Sequence, residues 1–408
     1  MKEILAYFFI VIGIFGLFSC NGRSSSEINV INTNDKSNSI ELSDAIGKMR
    51  SVKLSEIVDS ITYLPLSNSH LLGDAKTSLS KNYIFVGASA FDWKGNYIFE
   101  IGSRGQGAGE EIYLNSIIEA DQSFYSMTDK MIAYDSDGKF AGRERNVLEL
   151  HPLDMGRADT SGIVTCTLDS LYFWDKNFNF KQAIRVVPDW TEKSTMFSSN
   201  RLLRFFFENR DSVLFYNYIN DTIYRVLNDK IQPRWIIDLK KEKMPIKYLL
   251  GDELKRIETG SKYFTNGNFL DWEYLKETDN KIRVFSVYES EDYVFIYWFR
   301  MFDFWQLRQL PQTKFQIAYF DKRTKNTTVV EGEGFVDDIS SLGTFYPLLG
   351  IHDNCMVNTY WPYQLQERVD SLQRIGKPVD KKLQGLLENM SPEDNPIVVM
   401  AHLKPQKK

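Results

Sequence analysis

Short runs of aromatic and β-branched residues, separated by clusters of Asp, Asn and Gly, dominate the chain from about residue 57 onwards. Such runs favour strands over helices, because branched and aromatic side chains pack well on a pleated surface. Asp and Asn close local side-chain turns and Gly supplies positive φ, so the clusters predict tight turns. The chain is therefore expected to be an all-β protein of many short strands. The clearest runs are Tyr83–Val86, Tyr97–Ile101, Leu171–Trp174, Ser212–Tyr216, Thr222–Val226, Trp235–Leu239, Ile282–Tyr288, Tyr293–Phe299 and Ile397–Leu403.

An aromatic residue followed by Asp, with Gly or Asn shortly after, recurs in the first half of this region. The aromatic residues of the three copies are Phe91, Tyr134 and Trp174, about 40 residues apart. This period suits one four-stranded blade of a β-propeller. Two stretches, 248–257 and 365–387, carry helical spacing instead; such helices either pack on the sheets or bind a partner. About 300 residues remain, which at about 42 residues per blade allows six to eight blades.

The composition excludes several classes of function. The 54 acidic and 49 basic residues leave a net charge of −5, so the chain lacks the basic excess with which proteins bind nucleic acids. Only four His and three Cys are present, with no His pair at metal spacing, and neither a metal nor another cofactor is expected. Cys166 and Cys355 lie in separate strand-like runs, so we expect two buried, unpaired thiols rather than a disulfide.

The N-terminus has the pattern of a secretory signal. Lys2 precedes an apolar run, Ile4–Phe18, which is followed by Ser19 and Cys20. As a helix this run would span about 22 Å, less than the roughly 30 Å of a hydrocarbon core. Its ending, Leu-Phe-Ser-Cys, resembles a bacterial lipobox, and an uncleaved anchor helix is the alternative. We expect residues 1–19 to be a lipoprotein signal peptide and Cys20 to carry the acyl chains.

The residues after Cys20 are rich in Ser and Asn up to about Ser39 and have no apolar period. This composition is typical of a flexible tether. The expected organisation is therefore a lipidated cysteine with its tether over residues 20–54, followed by one folded domain over residues 55–408.

Several motifs, in order along the chain, resemble those of the six-bladed β-propeller lipoproteins of Bacteroidota. The resemblance covers about residues 55–403 and implies six blades, export and a lipid anchor in the outer membrane. An acidic run that often marks surface export is missing just after Cys20, which favours a periplasm-facing position. The motifs are Ile61-Thr62-Tyr63-Leu64-Pro65-Leu66 with Leu71-Leu72-Gly73, Ile101-Gly102-Ser103-Arg104-Gly105-Gln106-Gly107-Ala108-Gly109-Glu110, Asn220-Asp221-Thr222-Ile223-Tyr224, Asp337-Asp338-Ile339 and Asn395-Pro396-Ile397-Val398-Val399.

The chain departs from that family at the first blades. Gln106, Ala108 and Glu111 stand where the family usually has Arg, Pro and Tyr. The connection between Val86 and Phe91 is also short, which predicts that this blade lacks one hairpin.

Ring closure gives a further expectation. A propeller has an open edge unless its last blade takes a strand from the other terminus. The runs 61–66 and 395–400 lie at the two ends of the folded region, and we expect them in the same blade.

Two groups of residues are candidates for ligand binding. The glycine loop does not match G-x-G-x-x-G or a P-loop; it is either a tight connection between blades or a ligand loop with Arg104 and Glu110 as its charged pair. Trp298, Trp305 and Trp361 lie in aromatic segments, and rings in connecting loops can stack on sugars or anchor a protein interface.

The predicted function is a binding or scaffolding module of the cell envelope, with a glycan, a peptide or an envelope protein as its partner. No nucleophile elbow and no same-face acid pair is evident in the sequence. The alternative is a carbohydrate-directed hydrolase or lyase whose residues converge on the propeller channel. Two carboxylates meeting at the mouth of that channel would favour the enzyme.

Overall fold

A computed structural model describes residues 26–27, 38–73, 76–111, 117–150, 152–158, 162–167, 169–186, 205–209, 212–245, 281–300 and 315–405. In these residues six four-stranded antiparallel sheets form a six-bladed β-propeller. The all-β, six-bladed prediction is confirmed.

The strands follow the predicted runs closely. Three of them precede the first blade: β1 (Ser26–Glu27), β2 (Ser39–Ile40) and β3 (Val58–Pro65). Blade 1 holds β4 (Thr77–Leu79), β5 (Tyr83–Val86), β6 (Ser89–Asp92) and β7 (Tyr97–Glu100). The glycine loop then adds a parallel pair, β8 (Ser103–Arg104) and β9 (Glu110–Glu111).

The next three blades follow in chain order. Blade 2 holds β10 (Ile117–Ala120), β11 (Ser123–Met127), β12 (Lys130–Tyr134) and β13 (Phe140–Asn146). Blade 3 holds β14 (Asp154–Arg157), β15 (Gly162–Cys166), β16 (Ser170–Asp175) and β17 (Phe180–Arg185). Blade 4 holds β18 (Phe206–Asn209), β19 (Ser212–Asn217), β20 (Thr222–Leu227) and β21 (Lys230–Ile237).

The last two blades complete the ring. Blade 5 holds β22 (Ile282–Glu289), β23 (Tyr293–Arg300), β24 (Gln316–Asp321) and β25 (Asn326–Val329). A separate hairpin, β26 (Phe335–Asp337) and β27 (Gly343–Phe345), leads to blade 6 with β28 (Gly350–His352), β29 (Cys355–Tyr360) and β30 (Ile397–Leu403). The helices are α1 (Leu42–Ile46), α2 (Pro362–Arg374) and α3 (Lys381–Leu387), with 3₁₀ turns at Leu54–Glu56, Leu148–Leu150 and Lys240–Glu242.

The ring closes through the two ends of the folded region. Strand β3 is the outermost strand of blade 6 and pairs with β30, with Ile61 opposite Ala401 and Leu64 opposite Val398. The expectation that both runs share a blade is confirmed. Blade 6 therefore exists only when both ends of the folded chain are in place.

Blade 1 is complete, so the predicted loss of a hairpin was wrong. Strands β5 and β6 are joined by only Gly87 and Ala88, and Gly87 has φ 61°. Glycine reaches this left-handed region without strain, which allows the two-residue turn. The connection is short because the hairpin is tight.

The two faces of the propeller differ in their connections. The ends of the first and third strands of each blade lie on one face, and the fully described turns that leave them contain two to five residues. We call this the short-turn face. The strand ends that lead into the long connections all lie on the opposite face, the loop face; those connections are 66–76, 101–116, 186–205, 238–281, 301–315, 330–349 and 361–396.

The chain before β3 packs along the outer edges of the blades as a strap, residues 26–27 and 38–57. Strand β1 pairs in parallel with β17 of blade 3, and β2 with β21 of blade 4. Arg50 then bridges to Val330 beyond blade 5. Ile40, Leu42 and Leu54 are fully buried in the main core.

The predicted tether boundary at residue 54 was therefore too late. The apolar side chains of residues 40–54 are too widely spaced to look like a strand or a long helix, but they are buried in the main core. The segment runs from the edge strand of blade 4 to Val330 beyond blade 5. The packed body begins near residue 38, and the first residues of the strap extend the edges of two sheets.

The predicted helix over 365–387 is present as two helices, α2 and α3. Leu365, Val369 and Leu383 face the main core, so these helices pack on their own domain. The stretch 248–257 lies outside the described residues. None of the described helices is long and apolar enough to cross a membrane. Cys166 and Cys355 are free, buried thiols in different blades.

Candidate functional site

Three charged residues on consecutive blades meet at the channel mouth on the short-turn face. Glu119 is on β10, Arg157 ends β14 and Glu208 is on β18, the first strands of blades 2, 3 and 4. First strands surround the central channel of a propeller. Arg157 Nη2 lies 3.3 Å from Glu208 Oε2. We call these three residues the channel triad.

Blade 1 contributes hydrogen-bond donors to the same cluster. Glu119 Oε2 accepts hydrogen bonds from Ser80 Oγ at 2.8 Å and from the Asn82 amide at 3.2 Å. The Asn82 side-chain nitrogen donates to Glu119 Oε1. Both donors belong to the turn that follows the first strand of blade 1. The channel mouth therefore joins polar groups from four consecutive blades.

The charge of Glu208 is perturbed by its neighbours. Desolvation raises the pKa of its carboxyl group, Arg157 lowers it, and the nearby charge of Glu119 raises it. The side chain is 42% accessible to solvent, so a ligand can reach it.

The channel triad can act on a ligand in two ways. Two carboxylates and one guanidinium provide acceptors and a planar donor fork within a small space, which suits a ligand with both hydroxyl donors and acceptors. A carboxyl group with a raised pKa beside a second carboxyl group is also the starting point of acid–base chemistry. These groups can therefore recognise a ligand. The two carboxyl groups are also the feature that would favour an enzyme over a binding module.

The glycine loop is built around its own acidic residues. Glu110 Oε2 accepts a hydrogen bond from the Gly107 amide at 2.9 Å, and Ser103 Oγ donates to Glu110 Oε1 at 3.3 Å. In the parallel pair β8–β9, Arg104 stands opposite Glu111 and not opposite Glu110. Arg104 is exposed. The predicted pair thus lies in one loop, with the Glu110 carboxylate bonded to Gly107 and Ser103.

Blade 2 fixes the inner side of this loop. Lys130 Nζ donates to Gly107 O at 3.1 Å and lies 2.9 Å from Glu144 Oε2, which also accepts from the Gly109 amide at 3.1 Å. Glu111 is buried, which raises its pKa, and accepts from Thr128 Oγ1 at 3.0 Å. These contacts favour the interpretation of the loop as a tight connection between blades.

Two of the three tryptophan candidates, Trp298 and Trp361, lie within the described residues. Trp298 lies within β23 and is 0% exposed, so it is part of the core; the prediction that it sits in a ligand-binding loop was wrong. All of β23 from Tyr293 to Phe299 is buried, because neighbouring blades cover both faces of the strand. Trp361 is partly buried and precedes α2, where its amide donates to Gln364 Oε1 at 2.9 Å. Trp305 and Cys20 lie outside the described residues.

The channel triad had a weak signal in the sequence. Glu119 follows Ile117 and Ile118, and Glu208 follows Phe206 and Phe207. A charged residue at the end of a short apolar strand is unusual unless it has a partner. The sequence does not show that these partners come from neighbouring blades, because this depends on the order of the blades in the ring. No group of His, Cys, Asp and Glu within the described ranges could hold a metal ion.

The family model for a domain of unknown function, DUF4934, matches residues 37–402. The chain belongs to the DUF4934 family. The matched range begins just before residues 38–57 of the strap and ends within β30, so the DUF4934 domain includes this part of the strap as well as the blades.

Two solved structures are similar to this DUF4934 chain to different degrees. A Bacteroides fragilis protein described as exported is 18% identical, with a TM-score of 0.61, and the alignment covers 88% of this chain and 98% of that protein. The WD40 domain of Neurospora crassa Pan2 is 9% identical, with a TM-score of 0.34 and coverage of 72% and 76%. At 18% identity the likeness to the Bacteroides fragilis protein concerns the fold alone. No curated protein matches the chain.

Proposed function

We propose that this DUF4934 chain is an exported, lipid-anchored propeller that binds a hydroxyl-rich ligand, such as a glycan, at the channel triad. The observation that carries the proposal is the interaction of three charged residues from three consecutive blades. Arg157 lies 3.3 Å from Glu208, and the charge of Glu119 acts on Glu208. Export and anchoring are supported by the signal pattern before Cys20. The structurally similar Bacteroides fragilis protein is itself described as exported.

The polar groups at the channel mouth favour a neutral ligand over a charged one. The triad carries two carboxyl groups and one guanidinium, and Ser80 and Asn82 add a hydroxyl and an amide nearby. A sugar hydroxyl donates to a carboxylate and accepts from a guanidinium at the same time. The outward placement of a binding site on a rigid ring also suits a module that presents ligands at the cell envelope.

Arg157→Ala tests the proposal, with Arg323→Ala as the matched control. Arg323 is an exposed arginine on the same face, in the turn after β24 and away from the channel. In a glycan screen followed by calorimetry, Arg157→Ala should weaken binding at least about 10-fold, the loss of one charge-assisted contact. Arg323→Ala should bind like the natural protein. Equal affinity of the Arg157 variant and the natural protein would refute the site.

The second candidate function is a carbohydrate-directed hydrolase or lyase at the same channel. The observation in its favour is the raised pKa of Glu208 within electrostatic reach of Glu119, because a proton-holding carboxyl group can act as a general acid. Turnover of a bound glycan that is lost in both Glu208→Gln and Glu119→Gln would establish the enzyme. Binding of the glycan without turnover would support the binding module instead.

A further inference from the structure

The second free thiol of the described chain lies in a row of side chains that crosses blade 6 at the short-turn face. His352 on β28 is paired with Cys355 on β29, and Cys355 with His402 on β30. Directly paired residues of neighbouring strands point to the same face of a sheet. The row therefore places one sulfur between two imidazoles, although the residues lie far apart in the sequence.

The imidazole of His402 connects the sulfur to the surface. Cys355 Sγ lies 3.1 Å from His402 Nδ1, and His402 Nε2 lies 2.8 Å from Thr62 Oγ1. Thr62, on the closing strand β3, is exposed. When the imidazole carries its proton on Nε2 and donates it to Thr62, Nδ1 is left as the acceptor that faces the thiol.

We propose that Cys355, His402 and Thr62 form a nucleophile–base–orienter site at which a small, uncharged, soft electrophile modifies the Cys355 sulfur. A hydrogen-bonded nucleophile and base, with a third group that orients the base, is the arrangement from which activated nucleophiles are built. The site is separate from the channel triad and does not depend on the proposed ligand.

The base is required because the thiol by itself is a poor nucleophile. Burial, together with the charge of Asp353, raises the pKa of Cys355 to about 11. At pH 7 the thiolate fraction is then on the order of 10⁻⁴. A neutral thiol reacts at a useful rate only if a base removes its proton during the attack. His402 Nδ1 is already in hydrogen-bonding contact with the sulfur.

The second cysteine gives an internal comparison. Cys166 in blade 3 is 0% exposed, and burial raises the pKa of its thiol well above the ordinary value. Cys355 is 5% exposed and has an imidazole in contact. Cys166 therefore serves as the reference thiol for the labelling of Cys355, and a variant at His402 isolates what the imidazole adds.

The reaction with iodoacetamide shows the chemistry. The sulfur forms a bond to the methylene carbon, the carbon–iodine bond breaks, and iodide leaves with the electron pair. The thiol proton passes to His402 Nδ1. No oxidant or reductant is consumed.

The test follows iodoacetamide labelling of the full chain carrying Cys20→Ala, with Cys355 and Cys166 quantified separately by peptide mass spectrometry. We expect Cys355 to label at least 10-fold faster than Cys166 at pH 7.5, and its rate to level off at a pH below the pKa of its own thiol. A rate that keeps rising tenfold per pH unit up to about pH 10 would overturn the proposal, because it would report the thiol alone. This measurement needs no variant at His402.

Substitutions of His402 and of its neighbours then test which residue acts as the base. His402→Gln should slow labelling of Cys355 at least 10-fold and remove the plateau, whereas an unchanged rate would refute the role of His402. His352 and Asp353 are the ionisable neighbours, with His352 Nε2 3.4 Å from Asp353 Oδ2, so His352→Gln is the matched control and should keep the plateau. Thr62→Val should lower the plateau and Thr62→Ser should restore it, as expected for a positioning residue.

Discussion

Arg234 donates two hydrogen bonds of 2.7 Å, from Nε and Nη2, to the carboxylate of Glu289 across the boundary between blades 4 and 5. Trp235 Nε1 and Lys322 Nζ contact the same Glu289 oxygen. Only 1% of the Glu289 side chain is exposed. A single buried carboxylate thus holds the outer strand of one blade, the first strand of the next and a turn together.

Glu289→Gln should lower the free energy of unfolding by about 3 kcal/mol, because it leaves two cations without their buried counter-charge. Burial alone would raise the pKa of Glu289, but the hydrogen bonds from Arg234 and the charge of Lys322 outweigh it and lower the pKa below its ordinary 4.5. A depressed pKa stabilises the fold above the unfolded value, and this contribution is lost as the pH falls through the folded value. Denaturant unfolding between pH 7 and pH 3 measures both effects. If the Gln variant lost stability with falling pH as steeply as the natural chain, Glu289 would not be the group responsible.

Two substitutions in the strap test whether this segment packs on the domain or is only a tether. Leu42→Ala should cost about 2–5 kcal/mol, since Leu42 is fully buried in the main core. Met49→Ala, in the same segment, should change the stability by less than about 0.5 kcal/mol because Met49 is exposed. Thermal unfolding of both variants measures the two changes in stability. Equal, small effects would mean that the strap does not contribute to the folded domain.

Asn395 connects the start of β30 to the chain that leaves β3. Its side-chain nitrogen donates to Ser67 O and His70 O, both at 2.7 Å, and its Oδ1 accepts from the Leu72 amide at 2.9 Å. Asn395→Ala should cost about 3 kcal/mol, at about 1 kcal/mol for each lost bond. Asn395→Asp should be at least as harmful, because a carboxylate would face two carbonyl oxygens. Hydrogen exchange at the Leu72 amide should rise in both variants; protection equal to that of the natural chain would contradict this account.

Cys20→Ala tests the proposed anchor. The variant should appear in the soluble periplasmic fraction or accumulate as the uncleaved precursor, because no sulfur remains to carry the acyl chains. Membrane fractionation and intact mass measure the outcome. An unchanged mass together with unchanged membrane association would contradict the lipoprotein proposal.

The local patterns of the sequence determined the strands, their turns and the pairing of the two chain ends. Tyr83–Val86, Thr222–Val226 and Ile397–Leu403 all fall within observed strands, because side-chain alternation and turn chemistry depend on neighbours along the chain. The pairing of β3 with β30 followed from the need to cover an open edge. The strap was missed because successive parts of it pack against different blades, and no local period in the sequence reflects such packing.

Only the tertiary structure decided where the chemistry lies. Glu119, Arg157 and Glu208 are each ordinary residues of short strands, and they meet because the ring sets consecutive first strands around one channel. Cys355 and His402 meet because β29 and β30 pair in one register, and a shift of one residue would point His402 to the other face. Trp298 became a core residue because blades cover β23 on both sides. Strand formation is a local property of the sequence, whereas a site that joins blades depends on register and ring order, which only the packed structure supplies.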